Sequence, residues 1–81
     1  MDVREASRKV KEYFQEVKGV EPLAFDIDRA TFNEEKNIWI IECSFYRNPL
    51  ENKRVSYTLL VDNESGAIRE LKPNEKNGSA S

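Results

Sequence analysis

The sequence predicts a small α+β domain, in which one N-terminal amphipathic helix packs on one face of an antiparallel four-stranded meander sheet. Three observations predict it: an apolar stripe with helical spacing near the N-terminus, later segments of alternating apolar and polar residues, and short polar links between those segments. Alternation with period two is typical of strands, and links this short join antiparallel neighbours. At 81 residues, with 38% hydrophobic and 35% charged side chains, the chain has the composition of one water-soluble globule.

The helix is predicted over residues 2–18. Asp2 and Glu5 have the spacing of a capping box, in which side chains bind the free N–H groups of the first helical turn. The apolar residues that follow share one helix face about 100° wide. They are Val3, Ala6, Val10, Tyr13, Phe14 and Val17. Gly19 suits the left-handed conformation that often follows a helix end.

The first two strands are separated by a polar turn at residues 33–37. Apolar and polar residues alternate from Leu23 to Ile27 and change phase near Arg29, as a β-bulge would produce. The strongest strand comes after the turn, and its alternating apolar side chains point to one face of the sheet. These are Trp39, Ile41, Cys43 and Phe45.

The third strand follows a loop at residues 47–53 and carries its own inward set. These residues are Val55, Tyr57, Leu59 and Val61. A turn over residues 62–66, in which Gly66 is free to take a positive φ, leads into a short last strand over residues 67–72. We therefore expect a single domain over residues 1–72, with the helix stripe packed on the inward sheet residues, and a flexible polar tail over residues 73–81.

The outward face of the sheet holds the main candidate site. Its apolar residues alternate out of step with the core set, so a single helix would leave them facing water: Ile38, Ile40, Tyr46 and Leu60. A contiguous apolar patch often marks an interface. Alternatively, the tail or the 47–53 loop covers it. The pattern favours a small non-catalytic protein-interaction or regulatory module that binds a protein partner or a second copy through this face.

One basic flank of the helix suggests an alternative function. Its members fall together on the helical wheel: Arg4, Arg8, Lys11 and Lys18. Such a flank could contact phosphates, which would make the chain a nucleic-acid accessory protein. It could equally be a solvated surface, and the net charge of −2 is not the positive excess of a general nucleic-acid binder.

Catalytic and metal chemistry are not predicted. The chain has one cysteine and no histidine, which excludes the usual zinc sites and histidine-activated nucleophiles. Cys43 lies on the apolar strand face, where burial raises the pKa of a thiol. Asp26, Asp28 and Glu42 could share the outer face and bind a hard cation. Alternatively, Glu42 pairs with Arg54 on the next strand. We expect no enzyme activity and no cofactor or metal.

The N-terminal segment, MDVREASRKV, has no apolar run suited to a signal peptide. No segment approaches the ~20 apolar residues of a membrane span. We therefore expect a cytoplasmic protein without a membrane association.

Two segments resemble known families. Trp39-Ile40-Ile41 opens one strand, and residues 57–62, Tyr-Thr-Leu-Leu-Val-Asp, lead through a turn to Gly66-Ala67-Ile68. Over residues 3–72 this order resembles the PepSY-like domains. That resemblance implies a small non-catalytic module that binds or restrains a partner, often a peptidase, and it brings no catalytic residue. The same segments are also similar to the gas vesicle protein O family, whose basic aromatic C-terminal end this chain lacks.

Overall fold

The computed structural model describes residues 1–74, and this part of the chain forms one helix and four strands. Helix α1 spans Val3–Glu16. Strands β1 to β4 span Leu23–Asn33, Ile38–Tyr46, Val55–Asp62 and Ile68–Pro73. The strands form one antiparallel sheet in the order β1-β2-β3-β4, and α1 packs on one of its faces. The predicted α+β meander is confirmed.

The two ends of α1 are defined by the predicted signals. The Asp2 carboxylate accepts a hydrogen bond of 2.9 Å from the Glu5 backbone N–H, which satisfies one of the free donors of the first turn. Gly19 has a φ of +66° and reverses the chain after the helix. The Val20 N–H then donates to the Phe14 carbonyl at 2.9 Å, so Val20 folds back beside the last helical turn.

Two residues that the apolar stripe placed in the core lie outside it. Val3 is 44% exposed and Val17 is 64% exposed. Val3 is the first residue of the helix and Val17 is its C-cap, so both lie at the ends of α1 rather than over the sheet. The helix buries only its middle turns, through Ala6, Val10 and Phe14.

The core lies between these turns and the inner face of the sheet. Its fully buried sheet residues come from the two central strands: Ile41, Cys43, Phe45, Leu59 and Val61. Burying a side chain of this size stabilises the folded state by about 1.5–3 kcal/mol relative to leaving it exposed. Phe25, Ile27, Trp39 and Tyr57 are only half-buried and form the margin of this cluster.

Strand β1 contains two bulges. The pairing of β1 with β2 shifts between Ile27 and Arg29, which confirms the predicted bulge. A second shift, between Leu23 and Asp26, had no signal in the alternation. Ala24 lies in this second bulge with a φ of +51°, a left-handed conformation that is unfavourable for any residue with a Cβ atom.

Arg54 stabilises this strained segment from the other side of β2. Its Nη2 donates to the carbonyl of Ala24 at 2.6 Å, to the carbonyl of Ser44 at 2.8 Å and to Asp26 Oδ2 at 3.2 Å. Arg54 therefore connects β1, β2 and the start of β3. The pairing of Arg54 with Glu42 considered above is wrong, because the register places Glu42 opposite Thr58.

The opposite end of the sheet is held by a chain of amide hydrogen bonds between its two turns. The indole Nε1 of Trp39 donates to Asn63 Oδ1 at 3.0 Å, and Asn63 Nδ2 donates to Asn37 Oδ1 at 3.0 Å. Asn37 itself has a φ of +56°, which asparagine tolerates better than most residues. The turn between β1 and β2 and the turn between β3 and β4 are thus joined.

Strand β4 continues one residue beyond the predicted end. Pro73 pairs with Tyr57, and the Asn74 N–H donates to the Ser56 carbonyl at 2.9 Å. The Asn74 side chain also accepts from Thr58 Oγ1 at 2.7 Å. The first two residues of the predicted tail therefore lie along β3, and the rest of that prediction, over residues 75–81, lies outside the described residues.

We predict that Arg54→Lys destabilises the fold by about 1–2 kcal/mol, because an ammonium cannot reproduce the forked contacts of a guanidinium with carbonyls on two strands. Urea denaturation followed by circular dichroism measures this change. Arg47→Lys is the matched control, since the Arg47 side chain is 54% exposed and its change should stay within about 0.5 kcal/mol. Equal effects of the two substitutions would contradict a structural role for Arg54.

A second prediction concerns acid stability and depends on the turn after β3. Asp62 Oδ1 accepts from the N–H groups of Ser65 and Glu64, each at 2.9 Å, and Oδ2 accepts from Arg69 Nη2 at 2.6 Å. The Ser65 N–H, then Arg69 and the Glu64 N–H, lower the pKa of Asp62 to about 2. A lowered pKa means that the folded state holds the charged form more strongly than the unfolded chain does.

The contribution of Asp62 to stability is therefore fully present above about pH 5 and is lost as the pH falls toward 2. Asp62→Asn keeps an acceptor oxygen in the turn but removes the charge. The difference in free energy of unfolding between wild type and Asp62→Asn should shrink as the pH is lowered through this window. Urea denaturation at a series of pH values tests this, and a difference that is independent of pH would contradict it.

Candidate functional site

The face of the sheet opposite α1, called here the outer face, has a small apolar centre. Ile40 and Leu60 are directly paired across β2 and β3, and both are half-buried. Thr31 of β1 lies opposite Ile40, and Glu70 of β4 lies opposite Leu60. The centre of the face is thus two aliphatic side chains within a polar surround.

The other two predicted interface residues are covered by their surroundings. Ile38 lies on the outer face but is only 6% exposed, between Asn33 and Asp62 at the joined turns. Tyr46 is half-buried, and the guanidinium carbon of Arg54 lies 5.1 Å from the centre of its ring. This distance is typical of a cation–π contact. Neither residue adds much accessible apolar surface to the Ile40–Leu60 pair.

The predicted basic flank of α1 is partly neutralised by its own helix. Arg8 Nη1 lies 3.3 Å from Glu12, and Arg8 Nη2 lies 3.9 Å from Glu5. Arg4, Lys11 and Lys18 are exposed. Lys18 lies beyond the end of the helix, where it lines a cleft, and is separated from the other three basic residues. The nucleic-acid role stays a prediction.

The carboxylates of the outer face each have a different neighbour. Asp26 accepts from Arg54, Asp28 accepts from Ser44 Oγ at 3.2 Å, and Glu42 lies opposite Arg29 in the strand register. Within residues 1–74, no group of three or more histidine, cysteine, aspartate or glutamate side chains is placed to hold a metal ion. The shared cation site considered above is therefore not formed by these three residues.

Cys43 is fully buried in the core between β1 and β3. Burial, and to a lesser extent the negative charge of Asp28, raises the pKa of the Cys43 thiol to about 12. At neutral pH the thiol is protonated, so it packs as a small apolar side chain.

A cleft of about 420 Å³, called here the end cleft, opens where α1 stops short of the sheet. The 14 residues of α1 make a helix about 21 Å long, whereas the nine residues of β2 span about 30 Å. The end cleft is lined by Phe14, Lys18, Val20, Phe45, Arg47, Tyr57, Leu71 and Pro73. The uncovered end of the inner face thus forms its floor.

Three aromatic rings pack together at this floor. Phe14 and Phe45 have centroids 4.9 Å apart, and the Tyr57 ring is 5.3 Å from Phe14 and 5.8 Å from Phe45. Phe14 and Phe45 are almost fully buried, whereas Tyr57 is half-buried. The three rings contact one another, and Tyr57 presents the accessible aromatic surface.

Two cations stand at the rim of the end cleft. Arg47 donates from Nε and Nη2 to the two carboxylate oxygens of Glu51, at 2.9 and 3.2 Å, and this pairing raises the pKa of Arg47. The ammonium of Lys18 has no ion-pair partner within residues 1–74.

The sequence did not predict the end cleft, because Phe14, Phe45 and Tyr57 all have the pattern of core residues. The signal present in the sequence was a basic residue two positions after α1, Lys18, and another directly after β2, Arg47.

Comparisons with protein-family models, with curated proteins and with solved structures found no match. The resemblances to the PepSY-like domains and to the gas vesicle protein O family stay hypotheses. Within residues 1–74, no helix has the length and apolar character needed to cross a membrane.

We predict that the Cys43 thiol of the folded protein is inert. A pKa raised from 9.0 to about 12 lowers the thiolate fraction at pH 8 by about a thousand-fold. A chromogenic aromatic disulfide should therefore label the native chain far more slowly than the urea-unfolded chain. Cys43→Ser supplies the blank, and labelling of native and unfolded chains at similar rates would contradict burial of the thiol.

Proposed function

We propose that this chain is a small non-catalytic interaction module that binds protein through the outer face of its sheet, with a second copy of the chain as the partner. The observation that carries the proposal is the adjacent, half-buried pair of Ile40 and Leu60 on the one sheet face that α1 does not cover. An apolar centre within a polar rim is the usual anatomy of a protein interface.

The size of the face sets the expected strength of binding. Four strands spaced about 4.8 Å apart and about 27 Å long present a footprint of about 500 Å² per copy. Two such faces would bury about 1,000 Å², at the low end of specific interfaces. We therefore expect the association to be weak and reversible. We place it in the cytoplasm, where Cys43 would stay reduced.

The charges around the centre are compatible with a second copy. Arg29 and Glu42 lie opposite each other in the register of β1 and β2 on one side of Ile40, and Lys72 lies 3.3 Å from Glu70 beside Leu60. Because both signs are present, two copies of the face do not meet as blocks of like charge. Burial of Cys43 in the core, which raises the pKa of its thiol, is consistent with a non-catalytic role.

We predict that wild-type protein associates with increasing concentration and that Ile40→Glu/Leu60→Glu is monomeric. Sedimentation velocity over a concentration series measures this, because burying four carboxylates in a two-fold contact opposes association. Circular dichroism should show that the variant is still folded.

Leu50→Glu is the matched control for this experiment. Leu50 is 94% exposed in the loop after β2, so the same change of leucine to glutamate falls away from the outer face. Its sedimentation should match wild type. Wild-type protein that is monomeric at every concentration, or a double variant that associates as wild type does, would overturn the proposal.

A further inference from the structure

We infer that the end cleft is a binding site for a small organic carboxylate with an apolar body. The cleft lies on the inner side of the sheet, so this inference does not depend on the outer face. Its volume of about 420 Å³ falls in the range of about 300–1,000 Å³ that is typical of small-molecule sites. Its lining divides into an apolar floor and a cationic rim.

The floor is suited to the apolar part of such a ligand. Tyr57, Val20 and Leu71 are half-buried, so each retains surface that a ligand can cover. Phe14 and Phe45 pack against the Tyr57 ring on its buried side. This packing of the Tyr57 ring reduces the side-chain ordering that binding requires.

The rim is suited to the carboxylate. Lys18 offers an ammonium without an ion-pair partner among the described residues. Glu51 engages only Nε and Nη2 of Arg47, and a guanidinium has five N–H donors, so Nη1 remains able to donate. No acidic residue is among the described residues that line the cleft. The unpaired charge of Lys18 and the free Nη1 donor of Arg47, whose own charge is already paired with Glu51, make the rim complementary to an anion.

A cationic or neutral ligand fits the same lining less well. An ammonium group would meet the unpaired charge of Lys18 as a like charge, and an alcohol would gain no ion pair from the rim. A multiply charged phosphate would match the rim but would leave the floor of Tyr57, Val20 and Leu71 uncovered. Only a ligand with both parts satisfies both halves of the cleft.

Octanoate is a suitable probe, and nitrogen–proton correlation spectra of the labelled full chain give a readout for each residue. We expect saturable shifts at Val20, Tyr57 and Leu71 on addition of octanoate. Octan-1-ol, which has the same chain without the charge, should bind more weakly, by up to about five-fold for each ion pair that it lacks, since an exposed ion pair contributes up to about 1 kcal/mol. Octylammonium should be weaker still.

Two charge reversals test the rim. Lys18→Glu and Arg47→Glu should each weaken octanoate binding several-fold, and both residues are exposed, so the fold should be retained. Lys11→Glu is the matched control: it makes the same change on an exposed helix residue outside the cleft and should leave affinity unchanged. Ile40→Glu/Leu60→Glu should also bind octanoate normally, which separates this inference from the proposed function.

Several results would overturn the inference. One is octanoate that produces no saturable shifts, or shifts centred on Ile40 and Leu60 instead of the cleft. Another is octan-1-ol that binds as tightly as octanoate. A third is Lys11→Glu weakening binding as much as Lys18→Glu, which would show a general charge effect.

Discussion

A helix of 14 residues lying on a sheet of four strands cannot cover all the apolar surface that the sheet presents. The middle turns of α1 seal the inner face over Ile41 and Leu59, and the fold depends on that contact. Beyond the last turn the inner face continues without a helix above it, and the opposite face has no second layer among the described residues. The end cleft and the outer face both follow from this one constraint.

The outer face, which α1 does not cover, carries largely polar side chains that bind one another. On this face Arg54 connects β1 to β2, and Thr58 donates to Asn74 beside β4. At the other end of the sheet, Asn63 joins the two turns. Within residues 1–74, no buried side-chain nitrogen or oxygen lacks a hydrogen-bond partner. A half-buried polar network of this kind holds its strands in one register, because a slip would leave several groups unpaired at once. The sheet therefore keeps its shape without a second apolar layer.

Local patterns in the sequence were sufficient for the elements and their order. Alternation identified the strands, Asp2 and Gly19 marked the ends of the helix, and the phase change near Arg29 located one bulge. The second bulge was not predictable, because Ala24 carries no left-handed preference and is held there by Arg54, thirty positions along the chain. Val3 and Val17 show the same limit: a helical wheel gives the direction of a side chain but not where the neighbouring sheet ends.

The candidate sites were predictable to a similar degree, and for the same reason. Alternation correctly set Ile40 and Leu60 apart from the core residues, but the burial of Ile38 and the cover over Tyr46 arise from distant partners in the folded chain. The end cleft combines residues from α1, from β2 to β4 and from the links after α1 and β2, so no local sequence pattern predicts it. Its aromatic residues looked like core because two of them are core. What makes the third accessible is the length of the helix, and that length is set by the Asp2 cap and by the chain reversal at Gly19. The signals that end the helix thus also determine which part of the inner face is left open to solvent.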